Sequence, residues 1–168
     1  MNNRLLRSIL LLTALIAVSP ALQAKPDADL SAETRTNQFD LKKGLAIQGY
    51  DPVSYFSDTP QEGKKSITST YKGVTYRFAN EANKQAFEGD PAKYEPAYGG
   101  WCAWAMVDGG KTEVDPENYK IVDGRLMLFY KGFWGDTRKM WNEKAAEGEE
   151  PKLVSSADGN WANFTKNS

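Results

Sequence analysis

The sequence predicts an α+β fold, a single compact domain of short β-hairpins interleaved with short helices. β-branched and aromatic runs flank the turn dipeptides Lys72-Gly73 and Asp123-Gly124, which indicates hairpins. Short stretches with apolar residues at helical spacing follow side chains that cap helices. Because long alternating strand and helix patterns are missing from the sequence, a doubly wound parallel sheet is not expected.

The two hairpins are predicted around those turn dipeptides. The first joins a strand at residues 67–71 to one at residues 74–79, and the second joins residues 120–122 to residues 125–130. An Asp-Gly pair tolerates the positive φ angles of a two-residue turn, so the second hairpin is the clearer of the two.

Short helices are predicted between and after the hairpins. Asn80 caps a helical segment that ends at Gly89, and Asp90-Pro91 opens another short turn of helix. Asp51-Pro52 is likewise a cap followed by proline. Residues 134–146 carry mostly apolar side chains at helix-compatible spacing, which predicts a further helix that ends at Gly148.

The beginning of the chain is typical of a secretory signal peptide. Residues 1–24 combine a basic start, an apolar stretch and small residues before Ala24. The apolar stretch is about half of what a membrane-spanning helix needs. We therefore expect cleavage after Ala24, or after Ala21, and export to the periplasm with no stable membrane anchor left.

The remaining chain is predicted to be one domain with two polar ends. Residues 25–38 are interpreted as a flexible, exposed extension and residues 39–148 as the α+β domain. Residues 149–168 are interpreted as a C-terminal tail that Trp161 and Phe164 dock onto the body.

The composition excludes several classes of chemistry. The chain has no His and one Cys, so it has no Ser-His-Asp triad, no imidazole metal site and no intramolecular disulfide. Its 21 Lys+Arg and 22 Asp+Glu nearly balance, which argues against a nucleic-acid or anionic-membrane partner. Any chemistry is therefore expected to pass through Cys102.

Cys102 lies in an unusual apolar stretch after two glycines. The stretch contains Tyr98, Gly99, Gly100, Trp101, Cys102, Ala103, Trp104, Ala105, Met106 and Val107. If a helix begins at Gly100, Cys102 is in its first turn, where unpaired amides favour a thiolate. Met106 would lie over the same helix face as Cys102, and Trp101 and Trp104 would shape a pocket beside it.

Four motifs in order resemble the exported bacterial YHS-domain proteins. They are residues 49–56, 71–78, 87–94 and 98–103. In the metal-associated branch of that family, cysteines stand at the places matched here by Ser54, Ala79 and Asn83, so that metal site is absent as such. Some relatives carry selenocysteine at the place matching Cys102, and the resemblance therefore implies a reactive, redox role for this residue.

Three functions remain open on the sequence. The first is a thiol-dependent redox protein in which Cys102 is the catalytic residue and an external thiol or partner protein completes the cycle. The second is a Cu(I) or soft-metal module that uses Cys102 with Met106, and Met127 or Met140 in addition. The third is a non-catalytic interaction domain in which the thiol is buried and inert. The solvent exposure of the Cys102 sulfur distinguishes them.

Overall fold

A computed structural model describes residue 27 and residues 29–57 and 59–166 of the chain. The predicted signal peptide, residues 1–24, lies outside the described residues. The α+β fold class is confirmed, because helices alternate with several small sheets around one core. Among the helices described, none is both long and apolar enough to cross a bilayer.

The first sheet has four strands in the order β1-β2-β4-β3. They are β1 (Leu41–Lys42), β2 (Leu45–Ala46), β3 (Lys64–Tyr71) and β4 (Val74–Phe78). β3 and β4 form the first predicted hairpin, and the turn at Lys72-Gly73 has the expected positive φ angles of 44° and 82°. β2 pairs parallel with β4 and connects the hairpin to the N-terminal strands.

The second sheet is the predicted hairpin around Asp123-Gly124. It consists of β5 (Asp115–Val122) and β6 (Arg125–Phe129), paired antiparallel, with φ angles of 49° and 73° at the turn. The side chains from Leu126 to Phe129 are all fully buried. β6 is therefore covered on both faces and lies at the centre of the core.

Two short helices between the sheets also follow the sequence prediction. α2 (Glu81–Gly89) begins after Asn80, whose side chain accepts a hydrogen bond from the backbone N–H of Asn83 at 2.8 Å. α3 (Pro91–Tyr94) begins after Asp90 and carries proline at its start. Both helices thus use the capping residues that the sequence indicates.

The N-terminal segment differs from the predicted exposed extension. Residues 32–38 form α1 (Ala32–Gln38), and the side chain of Arg35 is fully buried. Its guanidinium makes a bidentate ion pair with Glu95, which also accepts a hydrogen bond from the Tyr76 hydroxyl at 2.6 Å. A buried ion pair with a partner 60 residues away holds this helix to the domain.

The helix predicted at residues 134–146 begins later than expected. α5 (Thr137–Ala146) starts after Asp136, whose carboxylate caps it. The preceding residues form a third hairpin of β7 (Lys131–Gly132) and β8 (Gly135–Asp136). Trp134 therefore lies in a hairpin turn and not in a helix.

The C-terminal segment, which the sequence predicts as a docked tail, is a long helix. After the short α4 (Ala103–Val107), the chain passes through β5, β6 and α5 and ends in α6 (Glu150–Lys166), which packs against α4. Trp161 is buried and contacts the ring of Phe39 at 5.9 Å between centroids. Phe164 is half-buried beside it.

Candidate functional site

Cys102 lies at the boundary between a tight turn and α4. A turn at Ala97–Gly100 carries positive φ angles at Tyr98, Gly99 and Gly100, and the helix begins only at Ala103. A helix start at Gly100, which would have placed Cys102 in the first turn, is therefore not observed, and Cys102 is the residue before the first helical turn. Its carbonyl accepts from the Met106 N–H at 3.0 Å, while its own N–H donates to the Thr112 carbonyl.

The double glycine serves packing within the protein. A Cβ atom on Gly99 would lie 2.6 Å from the ring of Phe39, closer than two non-bonded carbon atoms approach each other. With its positive φ, Gly99 lets the backbone pass directly against this ring. The close approach that the sequence suggests is thus an approach to the core and not to a ligand.

The Cys102 sulfur is fully enclosed and hydrogen-bonded. Its side chain is 0% exposed. The backbone N–H of Tyr130 donates to Sγ at 3.4 Å, and Sγ lies 3.3 Å from Thr137 Oγ1. Because the Thr137 hydroxyl donates to the Tyr130 carbonyl at 3.0 Å, its oxygen is available to accept the thiol proton. A neutral thiol satisfies this whole network.

These contacts place the sulfur at the base of the third hairpin. Tyr130 precedes β7 and Thr137 follows β8, and the Thr137 N–H closes the base by donating to the Tyr130 carbonyl at 3.0 Å. Asn118 donates to the same carbonyl at 3.2 Å and to Asp136 at 2.9 Å. Cys102 therefore contacts both ends of the segment that forms the hairpin.

The aromatic side chains that the sequence predicts around the thiol do not form a pocket over it. Trp101 and Trp104 are half-buried, and the Trp101 indole N–H donates to the Gln38 carbonyl at 2.7 Å. Tyr98 is buried and donates to Asp158, which also pairs with Arg125. A surface groove of about 480 Å³ is lined instead by Gln38, Gly109, Asn160, Asn163 and Phe164. The sequence-predicted pocket residues therefore do not form an opening to the sulfur.

The candidate soft-metal ligands are distributed between the core and the surface. Met106 and Met127 are fully buried, whereas Met140 is 39% exposed on α5. Within the described part of the chain, no three His, Cys, Asp or Glu side chains gather as a metal site. Cys102 and Met106 are close along the chain, but both lie inside the sealed core.

The places matched to the family's metal cysteines meet at a different point, around Asp51. The buried Asp51 carboxylate accepts hydrogen bonds from the backbone of Val53 and Ala79, each at 2.9 Å, and from the Asn83 side chain at 2.6 Å. Ser54 donates to the Asp51 carbonyl at 2.7 Å. The structure therefore brings Ser54, Ala79 and Asn83 together as a closed hydrogen-bond cluster.

The tip of the third hairpin is a surface feature that the sequence analysis missed. Phe133 is 90% exposed and Trp134 is 81% exposed, and their rings meet edge to face at 4.9 Å between centroids. Together with the partly exposed Met140, they are the large apolar side chains exposed in the described region. The flanking Gly132 and Gly135 and the Asp136 cap were the signals for a turn here.

Tyr130 supports the backbone of this tip. A Cβ on Gly132 would lie 2.5 Å from the Tyr130 hydroxyl oxygen, so the Tyr130 side chain lies directly against the strand. The same hydroxyl accepts a hydrogen bond from the backbone N–H of Trp134 at 3.3 Å. Burial acts to raise the pKa of Asp136, but hydrogen bonds from Asn118 and the first amides of α5 outweigh it and lower that pKa. The base is thus fixed by an ionised cap and the tip by Tyr130.

The chain matches no family model, and no curated protein or solved structure shows significant similarity to it. Membership of the YHS-domain family therefore stays a prediction from the motifs. Function must be inferred from the geometry of the thiol and of the hairpin.

Proposed function

We propose that this protein is a non-catalytic interaction domain whose contact element is the aromatic tip, defined as Phe133 and Trp134. One contrast carries the proposal: these two rings are 90% and 81% exposed, whereas the sulfur of Cys102 is 0% exposed. Proteins seldom leave adjacent large rings in water unless a partner covers them. Solvent therefore does not reach the Cys102 sulfur, whereas the apolar rings of the tip are open to a partner.

The tip has the properties of a binding element. Aromatic side chains supply a large contact area and lose little conformational entropy when bound. The backbone of the turn that carries them is ordered before binding, because the Tyr130 hydroxyl accepts a hydrogen bond from the backbone N–H of Trp134 and the Gly132 backbone lies against the Tyr130 side chain. A pre-ordered turn backbone reduces the cost of association.

In this proposal Cys102 is a structural anchor for the tip. Its sulfur contacts Tyr130 at one end of the hairpin segment and Thr137 at the other. A buried thiol of this kind acts as a small apolar side chain with weak hydrogen-bonding capacity. The lone cysteine is therefore explained without a reaction.

A thiol redox function is the second candidate, and one observation favours it. The Tyr130 carbonyl accepts from the Thr137 N–H and from Asn118, so the Thr137 hydroxyl can turn to donate to a Cys102 thiolate instead. If the hairpin opened, the thiolate would take an oxygen atom from a peroxide and release the corresponding alcohol or water. One external thiol would then displace water to give a mixed disulfide, and a second would restore Cys102 as a symmetric disulfide leaves.

A Cu(I) function has less support from the geometry. Both sulfur atoms that it needs, in Cys102 and Met106, lie in fully buried side chains. An ion would have to enter the closed core and displace the contacts of Cys102 with Tyr130 and Thr137.

The proposal is tested by photo-crosslinking in cells. A photoreactive phenylalanine analogue replaces Phe133, and the matched control carries it at Lys65, an exposed residue of β3. We expect adducts with protein or lipid at position 133 that are several-fold more abundant than at position 65. Equal labelling at the two positions would remove the aromatic tip as the contact element.

A further inference from the structure

We infer that the aromatic tip binds the surface of an anionic lipid bilayer, an inference that rests on the proposed interaction function. Phe133 and Trp134 would enter the interface between headgroups and acyl chains. Lys131 and Lys139 beside them would contact the headgroups. The binding would be peripheral and reversible, because two rings bury too little apolar surface for stable anchoring.

The charge around the tip differs in sign from that of the chain. Residues 130–140 contain Lys131, Arg138 and Lys139 against one acid, Asp136, which gives +2, whereas the whole chain is −1. Asp136 is occupied by Asn118 and by the first amides of α5. Glu143 is the next acidic residue along the chain, and it lies further down α5 from the hairpin. Residues 130–140 therefore form a basic patch along the chain, in a protein that is nearly neutral overall. β5 packs against β7 and carries the exposed Glu117, which accepts a hydrogen bond from the Tyr50 hydroxyl at 3.1 Å.

The lysines of this patch are available to a ligand. Lys131 and Lys139 are exposed, and within the described residues neither ammonium group takes part in an ion pair. Arg138 is different, because it donates to the Tyr119 carbonyl at 3.1 Å and so ties the start of α5 to β5. Lysines close to an anionic bilayer strengthen binding through its negative surface potential.

The combination of two exposed rings with exposed lysines fits the surface of a bilayer better than it fits a protein–protein interface. A protein interface of ordinary size covers about 800 Å² on each partner and is depleted of lysine at its centre. Here two rings occupy a two-residue turn between Gly132 and Gly135, and the exposed Lys131 and Lys139 lie two and five residues from them along the chain. Tryptophan in particular favours the headgroup region, where its ring is shielded and its N–H finds an acceptor.

The test is co-sedimentation of the purified protein with lipid vesicles, in the form that cells accumulate. One vesicle population contains equal parts phosphatidylglycerol and phosphatidylcholine, and the other contains phosphatidylcholine alone. We expect binding to the anionic vesicles, weak binding to the neutral ones, and loss of binding as salt is raised. In the bound protein, tryptophan emission should shift to shorter wavelength, and Trp134→Phe should abolish most of that shift.

Matched variants separate the two parts of the inference. Phe133→Ser with Trp134→Ser should abolish binding, and Lys131→Gln with Lys139→Gln should weaken it by about thirtyfold. The control Lys64→Gln with Lys65→Gln removes equal charge from exposed positions of β3 and should bind like the wild type. All these positions are exposed, so the fold should persist, which circular dichroism checks.

Absence of binding to anionic vesicles would overturn the inference, as would binding that the Phe133 and Trp134 substitutions leave unchanged. Protein adducts from the crosslinker at position 133 without vesicle binding would also overturn it while supporting the interaction domain. Equal crosslinking at positions 133 and 65 would instead remove the interaction function itself. The two failures are therefore distinguishable.

Discussion

Two pairs of aromatic residues in this chain differ in their exposure to solvent. Trp161 in α6 is 1% exposed, its indole N–H donates to the Asp27 carboxylate, and Phe164 lies beside it. Trp134 in the third hairpin is 81% exposed, and its neighbouring ring, Phe133, is more exposed still. The residue types are the same in both pairs, so their burial is decided by geometry and by partners.

Backbone geometry accounts for the difference. Leu153, Ala157 and Trp161 are spaced four residues apart on α6, and all three are buried on the face that meets the domain. Phe133 and Trp134 are adjacent in a two-residue turn and cannot reach the core from there. A buried tryptophan with a satisfied N–H serves the fold, whereas the exposed pair is available for binding.

The largest expected effect comes from truncating the two tryptophans in parallel. Trp161→Ala should lower the free energy of unfolding by about 3–5 kcal/mol, because a large buried ring and its hydrogen bond are lost. Trp134→Ala should change it by less than about 0.5 kcal/mol, as expected for a surface substitution. Urea denaturation of both variants measures this, and equal losses of stability would show that the comparison is wrong.

The second effect is a pH dependence that originates at the buried pair. Burial raises the pKa of Asp27 from 3.8 to about 6, although the hydrogen bond from Trp161 opposes the shift. Below pH 3.8 the carboxyl is protonated in both states. Between pH 3.8 and 6 the unfolded chain ionises first, so the free energy of unfolding falls by up to about 3 kcal/mol as pH rises.

Asp27→Asn isolates this contribution, because the amide oxygen can still accept from Trp161. Relative to the variant, the wild type should lose about 2–3 kcal/mol of stability between pH 4 and pH 7. Urea titrations of both proteins across this range measure the difference. A difference that does not change with pH would show that Asp27 has an ordinary pKa and that water reaches its contact with Trp161.

A smaller effect is expected at the base of the exposed pair. Thr137→Val keeps the side-chain shape but removes the hydroxyl between Cys102 and the Tyr130 carbonyl, which should cost about 1 kcal/mol. Hydrogen exchange of the hairpin amides should accelerate, while exchange in β6 stays slow. Unchanged exchange in the hairpin would contradict the anchoring role of this contact.

Those parts of the fold that depend only on residues close together in sequence could be predicted. The turn at Asp123-Gly124 and the cap at Asn80 follow from local chemistry, and both form as predicted. The burial of Arg35 could not be predicted, because its partner Glu95 is distant in sequence and nothing near Arg35 indicates it. The long α6 was missed for a similar reason, since its buried face requires α4 as a partner.

The candidate site was also predictable only where it depends on residues close together in sequence. The sequence identified Cys102 and its glycines as unusual, but it could not show that Tyr130 and Thr137, 28 and 35 residues away, enclose the sulfur. It assigned Trp134 to a helix because the apolar spacing fits one. Gly135 and the capping Asp136 override that spacing, and the resulting hairpin creates the exposed tip.

Cys102 is, in this account, a buried structural residue that holds the base of the hairpin, and the aromatic tip is the binding surface. The most direct test is the rate at which a water-soluble aromatic disulfide labels Cys102 in the native protein, with fully unfolded protein as the reference. We predict that native labelling is limited by opening of the fold and accelerates steeply with urea. Native labelling as fast as that of the unfolded chain would contradict the claim and favour the redox function.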